Sequence, residues 1–370
     1  MRNRLKTFDY GLIIAVFSLT IFGIIMVYSS SYTLASLNNE SGHFFFVRQL
    51  QWAVIGTILF TIAAFFSLRI LGKMSPFLVL LSIILLILVL IPEIGQVRNH
   101  AQRWIGYGGF VFQPSEIVKL FMIIYFSYIY AKKQPYLHQF TKGVLPPLVI
   151  LAAVFLLILQ QPDLGSATLI MAVCGLIVVL SGVRFHHILL LGSIAIAGIF
   201  YFAVSQPYRL LRLTSFRATF DDPTGSGFHL INSYVSIATS GFTGNGLGNS
   251  VQKLGYLPEA HTDFIMAVIV EELGILGLLF VIGGYLFILY RGVQISKQVD
   301  DMYLKLLALG ITFQIMIQTV FNLGAVSGML PITGIPLPFI SYGGTSLTFT
   351  LISAGILVNI SGRRALNKIE

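Results

Sequence analysis

The sequence predicts an all-α integral membrane protein of about ten transmembrane helices, with a large extracellular loop between spans seven and eight and a re-entrant loop between spans nine and ten. Three observations carry this expectation. Hydrophobic residues make up 56% of the 370 and charged residues only 10%, against about 25% charged in an ordinary soluble domain. Apolar runs of about 17 residues or more recur along the chain, each long enough to cross a bilayer. Positive charge is divided unevenly among the segments that join those runs.

The runs fall at about 10–28, 50–67, 75–91, 115–131, 144–159, 164–181, 187–204, 264–290, 306–323 and 345–360. The first follows Arg2, Arg4 and Lys6, and its length and lack of a small-x-small cleavage site favour a retained anchor over a cleaved leader. With the N-terminus inside, the inner segments hold 15 of the 23 Lys and Arg, the outer segments hold 7, and Lys119 lies within a span. That excess places both termini on the cytoplasmic side. It also accounts for the net charge of +9 without nucleic acid as a partner. About residues 205–262 then form the large outer loop. No linker divides the chain, so residues 1–370 are expected to form one polytopic membrane domain. The single cysteine, Cys174, permits no intrachain disulfide.

Only 14 Asp and Glu occur in the chain, so a carboxylate against apolar sequence calls for a reason. Asp263 ends the polar loop where the eighth apolar run begins, at the expected water edge of the membrane, where it can accept a proton from a bound molecule. Glu271 lies about 12 Å further along the same helix, which predicts Asp263 at the surface and Glu271 and Glu272 further in, bonded to neighbouring helices or backbone. His261 precedes the helix and is read either as a ligand or as a residue that positions the loop.

Glu116 and Lys119 sit near the outer start of the fourth run at i, i+3 spacing, on one helix face. Ionisable groups in a span face the bundle interior or a wet cavity. The pair is either a structural ion pair or a cation offered to an anionic ligand, oriented by Glu116. Arg209, Arg212 and Arg217 cluster on the outer side against the charge rule. Guanidinium forks fit phosphate oxygens, and the competing reading is an interfacial helix lying on the membrane surface. Leu330–Gly344 is uncharged and broken by Pro331, Pro336 and Pro338. Non-helical apolar chain at membrane depth is tolerated only when buried in protein or lining a cavity, so it reads as the re-entrant loop. Gln161-Pro162-Asp163-Leu164-Gly165 lies on the same side, and Asp163 reads as a helix N-cap ahead of any catalytic role. The sequence has no P-loop, no His-Glu-x-x-His and no Cys/His metal spacing, which leaves ATP coupling and zinc hydrolysis without support.

These stretches resemble the SEDS family (shape, elongation, division and sporulation) of bacterial cell-wall glycan polymerases. The resemblance runs from Phe8-Asp9-Tyr10 to the last span. It rests on Arg103-Trp104, Gln113-Pro114-Ser115-Glu116 to Lys119, Gln161–Gly165, Gly246-Leu247-Gly248-Asn249-Ser250, Pro258–Phe264 and Pro338–Gly344. Tyr256–Asp263 looks most like the division branch, with the sporulation and elongation branches as alternatives.

The resemblance implies a ten-helix peptidoglycan glycosyltransferase in the bacterial cytoplasmic membrane, at the division septum. Its substrate would be lipid II, the undecaprenyl-diphosphate-linked disaccharide-pentapeptide, and undecaprenyl diphosphate would leave with inversion. A class B penicillin-binding protein, which crosslinks the new glycan, and other divisome membrane proteins are the implied partners. The family's essential aspartate matches Asp263, and its paired acid and base match Glu116 and Lys119. Arg103, Arg209, Arg212 and Arg217 are then candidate diphosphate cations, with His261 and Ser341 as further substrate contacts. A divalent metal (Mg or Mn) is left open as a helper, although no cage of carboxylates is visible. Two other classes fit parts of the pattern. Broken segments and buried charges also suit a lipid II transporter, and a non-enzymatic division scaffold is disfavoured by the short inner tails.

Overall fold

The structure, a computed structural model, describes residues 7–37, 39–98, 101–107, 110–205, 219–223, 225 and 227–363. Among them run α1 (Tyr10–Leu37), α2 (Phe44–Phe65), α3 (Leu68–Lys73), α4 (Ser75–Leu90), α5 (Pro114–Lys132), α6 (Leu145–Leu159), α7 (Leu164–Leu180), α8 (Phe185–Val204), α9 (Phe228–Thr239), α10 (Ile265–Lys297), α11 (Met302–Val326) and α12 (Gly344–Ser361). Each predicted apolar run falls on one of these helices, and α3 and α9 are additions. Seven are long and apolar enough to cross a membrane, α6 counted with the turn before it; α4 and α7 are shorter apolar helices.

Helix starts follow local chemistry. Pro114 opens α5 after an extended Gln113, where its missing N–H costs nothing. Asp163 caps α7 by accepting from Ser166 N at 3.1 Å, as its position in the sequence predicts. Asp301 caps α11 through Tyr303 N at 2.8 Å and Leu304 N at 3.3 Å.

Close packing without a hydrophobic driving force requires small residues and polar ties between helices. Gly56 of α2 meets Leu351 of α12, and Gly355 of α12 meets the backbone of Phe60. Asn359 Nδ2 donates to Ala63 O at 2.9 Å and to Phe66 O at 2.6 Å. At the same end of the bundle, Arg291 of α10 forks onto Asp9 with contacts of 2.6 and 3.0 Å to Oδ2. The Asp9 N–H donates to Ser361 Oγ at 3.0 Å. These bonds gather α1, α10 and α12.

From that anchor α1 climbs about 30 Å to Ser29, and α10 climbs about 26 Å from Arg291 to a break at Gly274, just before which Glu272 lies. The two meet there, Ser29 Oγ donating to Glu272 at 2.7 Å. The span between anchor and meeting point is about the hydrocarbon thickness of a bilayer.

At Gly274 α10 breaks, with φ 62 and ψ −147. The chain bends back sharply there, so that Gly277 packs against Ile269, which in a straight helix would be about 12 Å away. The loop before α10 fills the corner. Asn245 N and Gly246 N donate to the carbonyls of Glu271 and Glu272 at 2.9 Å each, and Ile275 N donates to Phe242 O at 3.1 Å. Those amides satisfy carbonyls that a helix end would otherwise leave open.

This break corrects the expected order of depth. Along α1, Gly23 abuts the backbone of Phe339 and Ile340, and Ser29 lies about 9 Å further from the Asp9 end. Ser341, next to Ile340, bonds Thr262, whereas Ser29 bonds Glu272. Asp263 therefore lies nearer the Asp9–Arg291 end of the bundle than Glu271 and Glu272, at the start of a short leg that runs away from that end to Gly274. The two glutamates hold the loop before α10, bonded to helix and backbone as the sequence predicts. Glu271 accepts from Ser236 Oγ, Ser250 Oγ and Val251 N at 3.0, 2.6 and 2.8 Å, and Glu272 pairs with Lys253 at 2.7 Å.

Residues 331–337 are non-helical between α11 and α12. Ile335, Leu337, Phe339 and Ile340 of this connection are buried. The connection between α4 and α5 is not plain loop. It is a three-stranded antiparallel sheet of β1 (Gly95–Arg98), β2 (Ala101–Tyr107) and β3 (Phe110–Phe112). Gly95 lies opposite Ile105, and Ile105 opposite Phe112.

Candidate active site

Asp263 sits at the end of a tight turn. Glu259 takes φ 55, and its carbonyl accepts from Thr262 N at 3.1 Å and Phe264 N at 3.2 Å. Its carboxylate accepts from Thr262 Oγ1 at 2.6 Å. Asn322 Nδ2 donates to the Asp263 carbonyl at 2.8 Å and to Ile335 O at 2.9 Å. The main chain of Asp263 is thus held by α11, while its half-buried side chain lies beside Gly334. A Cβ at Gly334 would stand 3.5 Å from Asp263 Oδ2, and Gly334 has φ 69, a left-handed conformation that suits glycine.

Glu116 and Lys119 are 5% and 3% exposed and pair at 2.8 Å. Lys119 Nζ also donates to Gln318 Oε1 at 3.1 Å. Gln318 Nε2 donates to Pro336 O at 2.9 Å. The lysine is thus joined, through one side chain and one carbonyl, to the loop that flanks Asp263. Of the three N–H donors on a lysine, two are directed at these acceptors.

Arg103 projects from β2 onto the start of α7. Its Nε donates to Gln161 O at 3.2 Å, a second N–H bonds Pro162 O, and Nη1 stands 3.8 Å from Asp163 Oδ1. Gln113 Nε2 donates to Asp163 Oδ2 at 3.2 Å. Arg103 thereby ties the sheet, and Gln113 the start of α5, to α7, and Gly165 of the same motif packs on Thr333 of the loop between α11 and α12. Arg209, Arg212 and Arg217 lie outside the described residues.

His261 is 7% exposed, with ring centroids 4.7 Å from Phe45 and 5.4 Å from Tyr342. Burial pushes its pKa below the usual 6.5, against the opposing pull of Glu259. Its carbonyl accepts from Tyr342 N at 2.9 Å, so the residue also braces the loop. The Ser341 hydroxyl donates to Thr262 O at 2.7 Å and accepts from Leu337 N at 2.8 Å. In this arrangement it stitches the two loops together. Gln49 supports the same seam, donating to Ser341 O at 3.2 Å and accepting from Gly343 N at 3.3 Å.

Gln49, Gln318 and Asn322 are the residues that sequence reasoning missed. Gln314, Gln318 and Asn322 recur every fourth position in an otherwise apolar helix, and that stripe of amides was the available signal.

The family model described as "Cell cycle protein", for FtsW, RodA and SpoVE, matches residues 10–366. The chain is 41% identical to stage V sporulation protein E of Bacillus subtilis, over 95% of this chain and 96% of that one. It is 43% identical to the probable peptidoglycan glycosyltransferase FtsW of the same organism, over 98% and 92%. Among solved structures it resembles a chain from a peptidoglycan synthase complex, described in terms of coordinated polymerization and crosslinking. The TM-score there is 0.77 at 27% identity, covering 96% of this chain and 98% of that one. Thermus thermophilus RodA gives a TM-score of 0.73 at 25% identity, covering 96% and 97%.

Proposed function

The chain belongs to the FtsW/RodA/SpoVE family of cell-cycle membrane proteins, and from that premise we propose that it polymerises lipid II into glycan strands with Asp263 as general base. The observation that carries the proposal is the placement of Asp263. A half-buried carboxylate is fixed through its main chain by Asn322 and lies beside the loop that Gln318 connects to a buried lysine.

The 4-hydroxyl of one lipid-linked sugar attacks the anomeric carbon of another. The new C–O bond forms as the bond to the diphosphate breaks on the opposite face, which inverts the centre. The hydroxyl proton passes to Asp263, a role worth about 10²- to 10⁴-fold, and undecaprenyl diphosphate leaves with the bonding pair. Charge grows on the departing oxygen, and a preorganised cation there contributes at least as much. Lys119 is that cation, oriented by Glu116. Arg103 acts through α7 and the re-entrant loop. Among the described residues no three carboxylate, imidazole or thiol groups converge. That donor set suits a divalent ion carried on the substrate's own diphosphate, as magnesium commonly is.

The reaction occurs at the outer face of the cytoplasmic membrane at the septum, with both termini inside. The partner is a class B penicillin-binding protein that crosslinks the product. The test is polymerisation of purified lipid II in detergent, with the chain alone and with its partner. Glycan strands formed there cannot arise from flipping between compartments. Transport of lipid II in vesicles with no polymer in detergent would replace this reading with the transporter.

A further inference from the structure

We infer that Gln318 and Asn322 are positioning residues that lock the general base and the diphosphate cation into one unit. The inference rests on the reading of Asp263 and Lys119 given above.

The re-entrant loop explains why such residues are needed. Pro331, Pro336 and Pro338 remove three backbone N–H groups, so the segment cannot close a regular ladder. Where the segment is buried, as around Ile335 and Leu337, its carbonyls must find donors. Two consecutive ones, Ile335 O and Pro336 O, take theirs from side-chain amides one turn apart on α11, Asn322 at 2.9 Å and Gln318 at 2.9 Å.

Each amide has a second bond to the catalytic groups. Gln318 Oε1 accepts from Lys119 Nζ at 3.1 Å, and Asn322 Nδ2 also reaches Asp263 O at 2.8 Å. The amide orientation at Gln318 is forced, because an ammonium only donates and a carbonyl only accepts. Both amides are essentially without solvent contact, so water does not substitute for a lost bond. α11 therefore acts as a ruler: two side chains in adjacent turns set the distance between the lysine, the 335–336 backbone and the aspartate. Gly334, between that backbone and the carboxylate, transmits any shift in the loop to Asp263.

Gln318→Glu and Asn322→Asp test this with almost no change of shape. Each turns an N–H donor into an acceptor facing a carbonyl, which pushes the loop away while the helix face stays filled. The measurement is steady-state lipid II polymerisation by the full chain with its partner, normalised to folded protein. Expected is a fall in kcat of about 10- to 100-fold with KM changed less than about 2-fold, because small misplacements of a reacting group cost rate. Gln318→Met and Asn322→Ser, milder changes that avoid a buried charge, should each lower kcat, and together no more than the worse one alone.

An unchanged kcat per folded molecule in these variants would overturn the inference, as would a raised KM at constant kcat or full additivity. Should the wild-type chain make no polymer, the functional reading itself falls and this inference with it. An active wild type with indifferent variants defeats the inference alone.

Discussion

Replacing Glu116 by Gln separates a structural ion pair from a working cation. The substitution keeps shape but leaves the Lys119 ammonium, 3% exposed, with only neutral acceptors. Removing one partner of a buried pair costs about 3–5 kcal/mol, because the remaining charge is uncompensated. Apparent melting in detergent should therefore fall steeply in Glu116→Gln. In the double variant Glu116→Gln with Lys119→Met the buried charge is gone and the volume is nearly kept, so most of the melting temperature should return; apolar replacement of a buried pair is often neutral. Polymerisation should not return. Losing a preorganised donor to the leaving group costs about 10²- to 10³-fold, whatever the stability of the scaffold. The assay pairs thermal unfolding with lipid II turnover on the same four proteins, wild type and Lys119→Met included. Recovery of turnover together with stability in the double variant would refute the reasoning and make the pair structural only.

Gly274→Ala should prevent stable insertion, since φ 62 with ψ −147 is closed to a residue with a Cβ and the backbone of Phe242 and Gly244 occupies the space; yield of monodisperse protein reports it. His261, held below its usual 6.5 by burial, disfavours its proton in the folded state. Stability linked to it is therefore present above about pH 6.5 and lost as pH falls below that value toward the depressed folded pKa. His261→Phe should flatten this part of the melting profile between about pH 7.5 and 5 relative to wild type, while a parallel profile would remove His261 as its source.

How much of this was legible in the sequence depends on which forces acted locally. The helices were legible, because stretches such as Tyr10–Leu37 and Met302–Val326 are long and apolar enough that a bilayer is their natural solvent. The Asp163 cap was legible because an N-cap is decided within three residues. Glu116 and Lys119 were legible as a pair because helix spacing places them together. The reversal at Gly274 was not, since Glu271-Glu272-Leu273-Gly274 reads as uninterrupted helix and the bend is held by residues 242–246, about thirty positions earlier in the chain. The depth of Asp263 inverts for that reason alone. Arg103 read as a free cation, whereas β2 aims it at α7, a pairing that no local pattern encodes. Gln318 and Asn322 carried a periodic signal, but an amide in a span announces only that it has a partner, not which one.

Asp263→Asn tests the general-base role most directly. Asn322 holds residue 263 through its main-chain carbonyl, so the variant should fold, insert and melt as wild type does. Turnover of lipid II should fall by at least about 10²-fold, the lower end of what a general base supplies. Glycan strands made at near wild-type rate by that variant would contradict the account.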